Sequence, residues 1–272
     1  MTQDPKPEDD ADRLARAQHG DRAAFDQLLG PHIPAIRRLL RRMVGHPEDT
    51  ADLLQTTLLR AYLAIASFRG EAKLSTWLLT IATRVALDHL RTHRLAADAK
   101  MQLRDHVHAT AALSAERQHL SRSGEVDFDV REHIAFCFSC VGRSLPPDEQ
   151  AVLVLRDVLE LSNDEAAGVL DVSTSVLRHR LAHARTTMQT TYEGLCRLVS
   201  KEGVCYQCTG LRETFSAQHR GPEIPVLAEP GDAPEGVWRR RLTVVNAVDP
   251  DAGTAQRFHD FLWRALKQLE LT

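Results

Sequence analysis

Apolar residues recur at helical spacing along most of this chain. After Pro47, the positions Leu54, Leu58, Ala61 and Ile65 fall on one face of a 3.6-residue period. Pro47 suits a first helical turn, where its missing N–H leaves nothing unpaired, and Glu48 and Asp49 favour the positive end of the helix dipole. Phe68, Arg69 and Gly70 end that helix, and Ser75 is placed to cap the next. There Leu78, Ile81, Val85 and Leu90 point inward, while Thr80, Arg84, Asp88 and Arg91 form the opposite stripe. Further on, Pro146 and Pro147 open a helix carrying Val152, Leu155 and Leu159. Ser162 and Glu165 make a capping box for a short helix that ends near Leu170. Asp171-Val172 turns the chain, Ser173 caps again, and Leu177, Leu181 and Ala184 face inward. Two short helices across a tight turn, the second basic outside and apolar inside, read as a helix-turn-helix. A last helix is expected over 254–270, with Phe258, Phe261, Leu262, Ala265 and Leu269 on one face.

These patterns predict an all-α protein with two helical domains on a flexible linker and a C-terminal extension. The expected bounds are 11–94, a polar linker over 95–127, the helix-turn-helix domain over 128–190, and the extension over 191–272. Residues 221–236 hold four Pro, three Gly, four acids and no base, and read as a loop or tether. A length of 272 residues accommodates two or three domains, and 5% aromatic residues argues against an all-β sandwich. No apolar run approaches a membrane span, and the acidic start MTQDPKPEDDADR is unlike a signal peptide, so a cytoplasmic location without membrane contact is expected.

The net charge of -3 hides an uneven distribution. Residues 35–44 carry four Arg and no acid, and 173–191 carry Arg178, Arg180, Arg185 and two His, also without acid. Such stripes bind phosphates even on a slightly anionic protein. In the helix-turn-helix, Arg178, His179 and Arg180 reach for phosphates or base edges, with Thr174 and Ser175 at the end that enters a major groove. A solvated basic helix in a small bundle is the plainer alternative.

The first block carries more specific motifs. D-x-x-Q-x-x-x-L-R-A-Y runs from Asp52 to Tyr62, F-R-G-E from Phe68 to Glu71, and T-W-L…I-A…A-L-D-H-L-R from Thr76 to Arg91. Together they resemble the second conserved region of bacterial sigma factors of the extracytoplasmic-function group, and residues 145–185 resemble the fourth region. The resemblance implies docking on RNA polymerase core by the first domain, which also opens the minus-ten promoter element, and binding of the minus-thirty-five element by the second. It assigns polymerase contact to Asp52, Gln55, Leu58, Leu59 and Tyr62, although Leu54 and Leu58 equally suit core packing. Arg84, His89, Arg91 and Arg94 would hold the backbone of a melted strand. Many relatives have Asn where this chain has Arg84, and Arg prefers phosphate or guanine, so the minus-ten preference does not carry over. Asn163, Asp171 and Ser175 depart from commoner choices in the fourth region. An anti-sigma factor is a further partner the resemblance allows.

Five cysteines add a separate signal. Cys137 and Cys140 form one C-x-x-C pair, four and seven residues after His133 and so on one helical face with it, and Cys205 and Cys208 form another behind Gly203. Four soft donors suit a tetrahedral zinc ion. The 64 residues between Cys140 and Cys205 contain the whole helix-turn-helix, so a shared metal would clip the tail to that domain. A thiol redox pair or plain burial also fits, with His133 and His219 as reserve ligands and Cys196 as a buried side chain. No nucleotide-binding, nucleophile-elbow or metalloprotease motif occurs, so catalysis is not expected. A stand-alone metal- or redox-responsive DNA-binding regulator is the alternative to a sigma factor.

Overall fold

The computed structural model describes residues 10–93, 99–205, 207–250 and 252–270. Helices α1 (Asp10–Gln18), α2 (Arg22–Leu29), α3 (Ile33–Val44), α4 (Pro47–Ala64) and α5 (Leu74–Thr92) form the first bundle. The second contains α8 (Val130–Gly142), α9 (Pro147–Leu153), α10 (Asn163–Leu170) and α11 (Thr174–Leu195). Among the described residues there is no strand, only isolated parallel bridges at Phe128–Arg220 and Cys196–Cys205.

The local signals act as their chemistry requires. Ser162 Oγ accepts the Glu165 N–H at 3.2 Å, and the Glu165 carboxylate accepts the Ser162 N–H at 3.1 Å. Asp171 takes the left-handed conformation that closes α10, and Ser173 caps α11 by accepting the Val176 N–H. Ser75 does not cap α5. That helix begins one residue earlier, with Lys73 at the cap position and no side-chain bond.

The linker, expected to be polar and partly helical, is helical over α6 (Ala99–Ala109) and α7 (Ala111–Arg122). Leu103, Val107, Leu113 and Leu120 are buried, and both helices pack against α14 (Gln256–Lys267). The tail also forms α12 (Gln207–Thr214) and α13 (Pro234–Ala247). Buried residues from both bundles, the linker and the tail join in one continuous apolar core.

The tail reaches both bundles. Trp238 on α13 donates its indole N–H to Asp157 at 3.2 Å, and Asn246 donates to the Asp157 carbonyl. Asp157 also receives two bonds from Arg185, at 2.6 and 3.0 Å. On α14, Asp260 pairs with Arg41 at 2.6 Å, Lys267 pairs with Asp49 at 2.6 Å, and Trp263 covers Gly45. The stripe 35–44, expected to meet phosphates, is therefore partly internal. Arg41 and Arg42 are buried, and Arg42 donates to the carbonyls of Val245 and Val248 at 2.7 and 3.0 Å.

Gly45 gives a direct test. Its φ is +85°, and a Cβ there would overlap the Trp263 indole. Gly45→Ala is expected to cost about 2 kcal/mol or more in denaturant unfolding, combining backbone strain with displacement of the ring. An unchanged unfolding midpoint would show that Trp263 does not sit on this turn.

Candidate functional site

On α4, Asp52, Gln55 and Leu59 are exposed, and Leu59 retains 59% of its surface. Leu63, one turn further, retains 72%. These residues form one stripe in which two leucines face solvent next to polar neighbours, a surface suited to a partner helix. Leu63 was missed in the sequence, although its place four residues after Leu59 marks it. Leu58 is half-buried against the core. Tyr62 turns inward, edge-on to Phe25 at 5.1 Å and beneath the Arg22 guanidinium at 5.2 Å, so its ring contributes packing.

The residues expected to hold a melted strand separate on α5. Arg84 and Arg91 are exposed, and Arg94 lies outside the described residues. His89 is largely enclosed, stacked on His93 at 4.2 Å and 3.9 Å from Asp49. This placement leaves His89 less open than Arg84 and Arg91 on the same helix. Its helical register points it into the corner where α3, α4 and α14 meet.

That corner is electrostatically tight. Burial pushes the His46 imidazole below its ordinary range, and burial followed by the neighbouring His93 does the same for His89. Asp49 is raised by burial, but the Lys267 hydrogen bond and His46 outweigh this and hold it below the usual carboxylate range.

On α11, Ser175, Val176, Arg178 and His179 are exposed at the N-terminal half. Thr174 is half-buried and donates to Asp164 at 3.3 Å. Arg180 lies 3.8 Å from Asp148, whose other oxygen is 3.6 Å from Arg91 of α5. One carboxylate thus touches an arginine from each bundle. Lys73 and Glu165 bridge the bundles again at 2.9 Å, and that lysine is the leading cause holding Glu165 down to about 2.

The cysteines gather in one region. Cys137 and Cys140 are buried on α8, against which α12 packs, and α12 carries Cys208. Cys205 is tied to the end of α11, since its N–H donates to Leu195 O at 2.7 Å and its carbonyl accepts the Arg197 N–H at 3.1 Å. Cys196, read from sequence as simply buried, lies across this bridge, and its sulfur accepts from Arg241 at 3.5 Å. Arg241 is buried over the Tyr192 ring at 3.6 Å. Among the described residues, no three His, Cys, Asp or Glu side chains are arranged to hold a metal ion. The reserve ligands have other contacts: His133 Nδ1 meets His259 Nε2 at 3.3 Å, and His219 meets Asp127 at 2.8 Å.

Two bundles in this order, with an open helix-turn-helix, match known proteins. Residues 28–95 match the family described as Sigma-70 region 2, and residues 137–188 match Sigma-70, region 4. The ECF RNA polymerase sigma factor SigM of Mycobacterium tuberculosis is 31% identical over 66% of this chain and 82% of its own length. This chain belongs to the ECF sigma-factor family. The RNA polymerase sigma-H factor of Pseudomonas aeruginosa is 29% identical over 70% of this chain and 97% of that protein. A solved structure of CnrH in complex with the cytosolic domain of CnrY is similar at a TM-score of 0.48 and 22% identity, over 68% of this chain and 97% of that one. Sigma factors are transcription initiation factors and not enzymes. No helix among the described residues is long and apolar enough to cross a membrane. Both family matches end by residue 188, so the tail lies beyond them.

The lowered His46 and His89 values fix a pH dependence. An unfolded chain takes up these protons near the ordinary histidine value, and the folded corner resists them. Stability is therefore fully present above about pH 6.5 and falls on acidification, at up to about 1.4 kcal/mol per pH unit for each histidine. Denaturant midpoints are expected to drop between about pH 7.5 and 5.5, and His89→Asn is expected to flatten that drop. A slope identical in the variant would remove His89 from the account.

Proposed function

We propose that this sigma factor docks on core RNA polymerase through the α4 stripe and reads promoter DNA with α5 and α11. The observation that carries the reading is the open Leu59–Leu63 stripe, which leaves two large leucines in water on a helix of the family's region 2. Apolar groups so placed stabilise a complex when a partner covers them. Arg84 and Arg91 then face the minus-ten strand, and Ser175, Arg178 and His179 face the minus-thirty-five duplex. Arg180 joins them once it leaves Asp148. An anti-sigma factor is a further partner, competing for the same exposed surfaces.

Leu63→Asp is expected to weaken binding to core polymerase by about tenfold or more, corresponding to roughly 1.4 kcal/mol, with little change in unfolding. Arg178→Ala is expected to lower affinity for minus-thirty-five DNA and to reduce the salt slope by about one unit. The assay is promoter-dependent transcription by the reconstituted holoenzyme, alongside core binding. A DNA shift without polymerase, together with no transcript, would favour the stand-alone regulator.

The finer reading concerns control by metal or redox state. Cys137, Cys140, Cys205 and Cys208 would hold one zinc ion, with their side chains turned towards one another. The support is that α12, which carries Cys208, packs on α8, while the 196–205 bridge holds Cys205 at the end of α11. When bound, zinc supplies a tetrahedral thiolate cross-link that adds to the stability of the folded arrangement. Metal analysis of the whole protein should give one zinc per chain, and Cys140→Ser or Cys205→Ser should each abolish it. Full occupancy in Cys205→Ser would mean that the two pairs do not share a site. Unaltered transcription after chelation would make the ion structural and end the sensing idea.

A further inference from the structure

The tail after residue 188 contacts both family-matched regions, and its contacts on region 2 are of a different kind from surface packing. Asp260 meets Arg41, which is only 4% exposed, and Arg42 gives its guanidinium to two tail carbonyls. Glu270 meets Arg143 of region 4 at 3.0 Å, and the same Arg143 donates to Val44 O of region 2 at 2.6 Å. Trp263 covers the Gly45 turn between α3 and α4. On region 4, α13 is held through Trp238 and Asn246 to Asp157. One segment, 234–270, is thus bonded to both DNA-reading domains.

The closed arrangement conflicts with reading a promoter. Elements centred at minus ten and minus thirty-five are about 85 Å apart along straight duplex DNA at about 3.4 Å per base pair. Here Arg91 and Arg180, one from each reader, touch the same Asp148 carboxylate. Both readers can engage their elements only after regions 2 and 4 separate.

We propose that residues 234–270 form a built-in clamp that holds region 2 against region 4, and that releasing α14 from the Arg41–Gly45–Asp49 corner opens the chain for promoter engagement. The occupant of the Arg41–Gly45–Asp49 corner is this chain's own helix, α14. The inference rests on the promoter-reading role proposed above. The α4 stripe stays open in the closed form, so the clamp leaves polymerase docking available and withholds the separated promoter contacts. Any partner that captures α14 or α13 shifts the balance towards the open form by its preference for the freed helix.

A native reporter tests this. Lys73 Nζ and Glu165 Oε1 lie 2.9 Å apart across the two regions, and the lysine is well exposed, so a zero-length carbodiimide cross-link reads closure in the full chain. Wild type is expected to yield the 73–165 linked peptide. Asp260→Arg and, separately, Lys267→Glu are expected to lower its yield by about tenfold, to enlarge the hydrodynamic radius, and to raise transcript yield from the reconstituted holoenzyme. Helical content by circular dichroism identifies a variant that fails to fold, and the more exposed Lys267→Glu then carries the test. An undiminished cross-link in a folded variant overturns the clamp. A lost cross-link with core binding intact and no gain in transcript overturns its inhibitory role. Failure of wild type and variants alike to bind core polymerase would instead refute docking through the α4 stripe, while the cross-link still decides closure.

Discussion

Burial of three guanidinium groups at one junction is the constraint on which the rest of this structure depends. Arg41, Arg42 and Arg143 are each almost fully enclosed. An enclosed guanidinium is tolerable only with acceptors for its donors, and removing one partner of such a pair typically costs about 3–5 kcal/mol. Here the acceptors come from segments far apart in sequence: Asp260, Glu270, and the carbonyls of Val44, Val245 and Val248. Region 2, region 4 and the tail are therefore coupled through charges that none of them satisfies alone. An arginine pair of this kind adds specificity of arrangement more surely than net stability, because desolvation offsets much of the attraction.

A second coupling lies at the thiols. Arg241 enters the cysteine neighbourhood from α13 and is raised despite burial, which opposes its charge, by Tyr192 and then by Cys196 and Cys137. Tyr192 is pushed well above its ordinary value chiefly by burial. The same helix that meets the thiols also supplies Asn246 and Val245 to the arginines of region 2. Contacts to Cys196 and to the arginines of region 2 are thereby carried on one helix, α13.

The sequence by itself determined the local elements and the family. Caps, prolines and helical periodicity act over three or four residues, so the Ser162–Glu165 box, the Asp171 turn and the Ser173 cap were legible without any tertiary information. The motifs of regions 2 and 4 were legible for the same reason, and so was the N-terminal face of α11. Tertiary structure decided where each charged or aromatic side chain points once helices pack. Arg41 and Arg42 read as a phosphate stripe because their tail acceptors, Asp260 and the Val245 and Val248 carbonyls, lie more than 200 residues away. Tyr62 read as a partner contact, and only the packed structure shows that its half-buried ring also meets Phe25 and Arg22. His89 read as a DNA contact, yet it belongs to the Asp49 corner. The linker read as a polar, partly helical connection because its four leucine and valine positions gain their burial partners when α6, α7 and α8 pack with α14 from the far end of the chain. Local free energies are written in neighbouring residues, whereas the burial of a charge depends on which distant segment arrives to meet it.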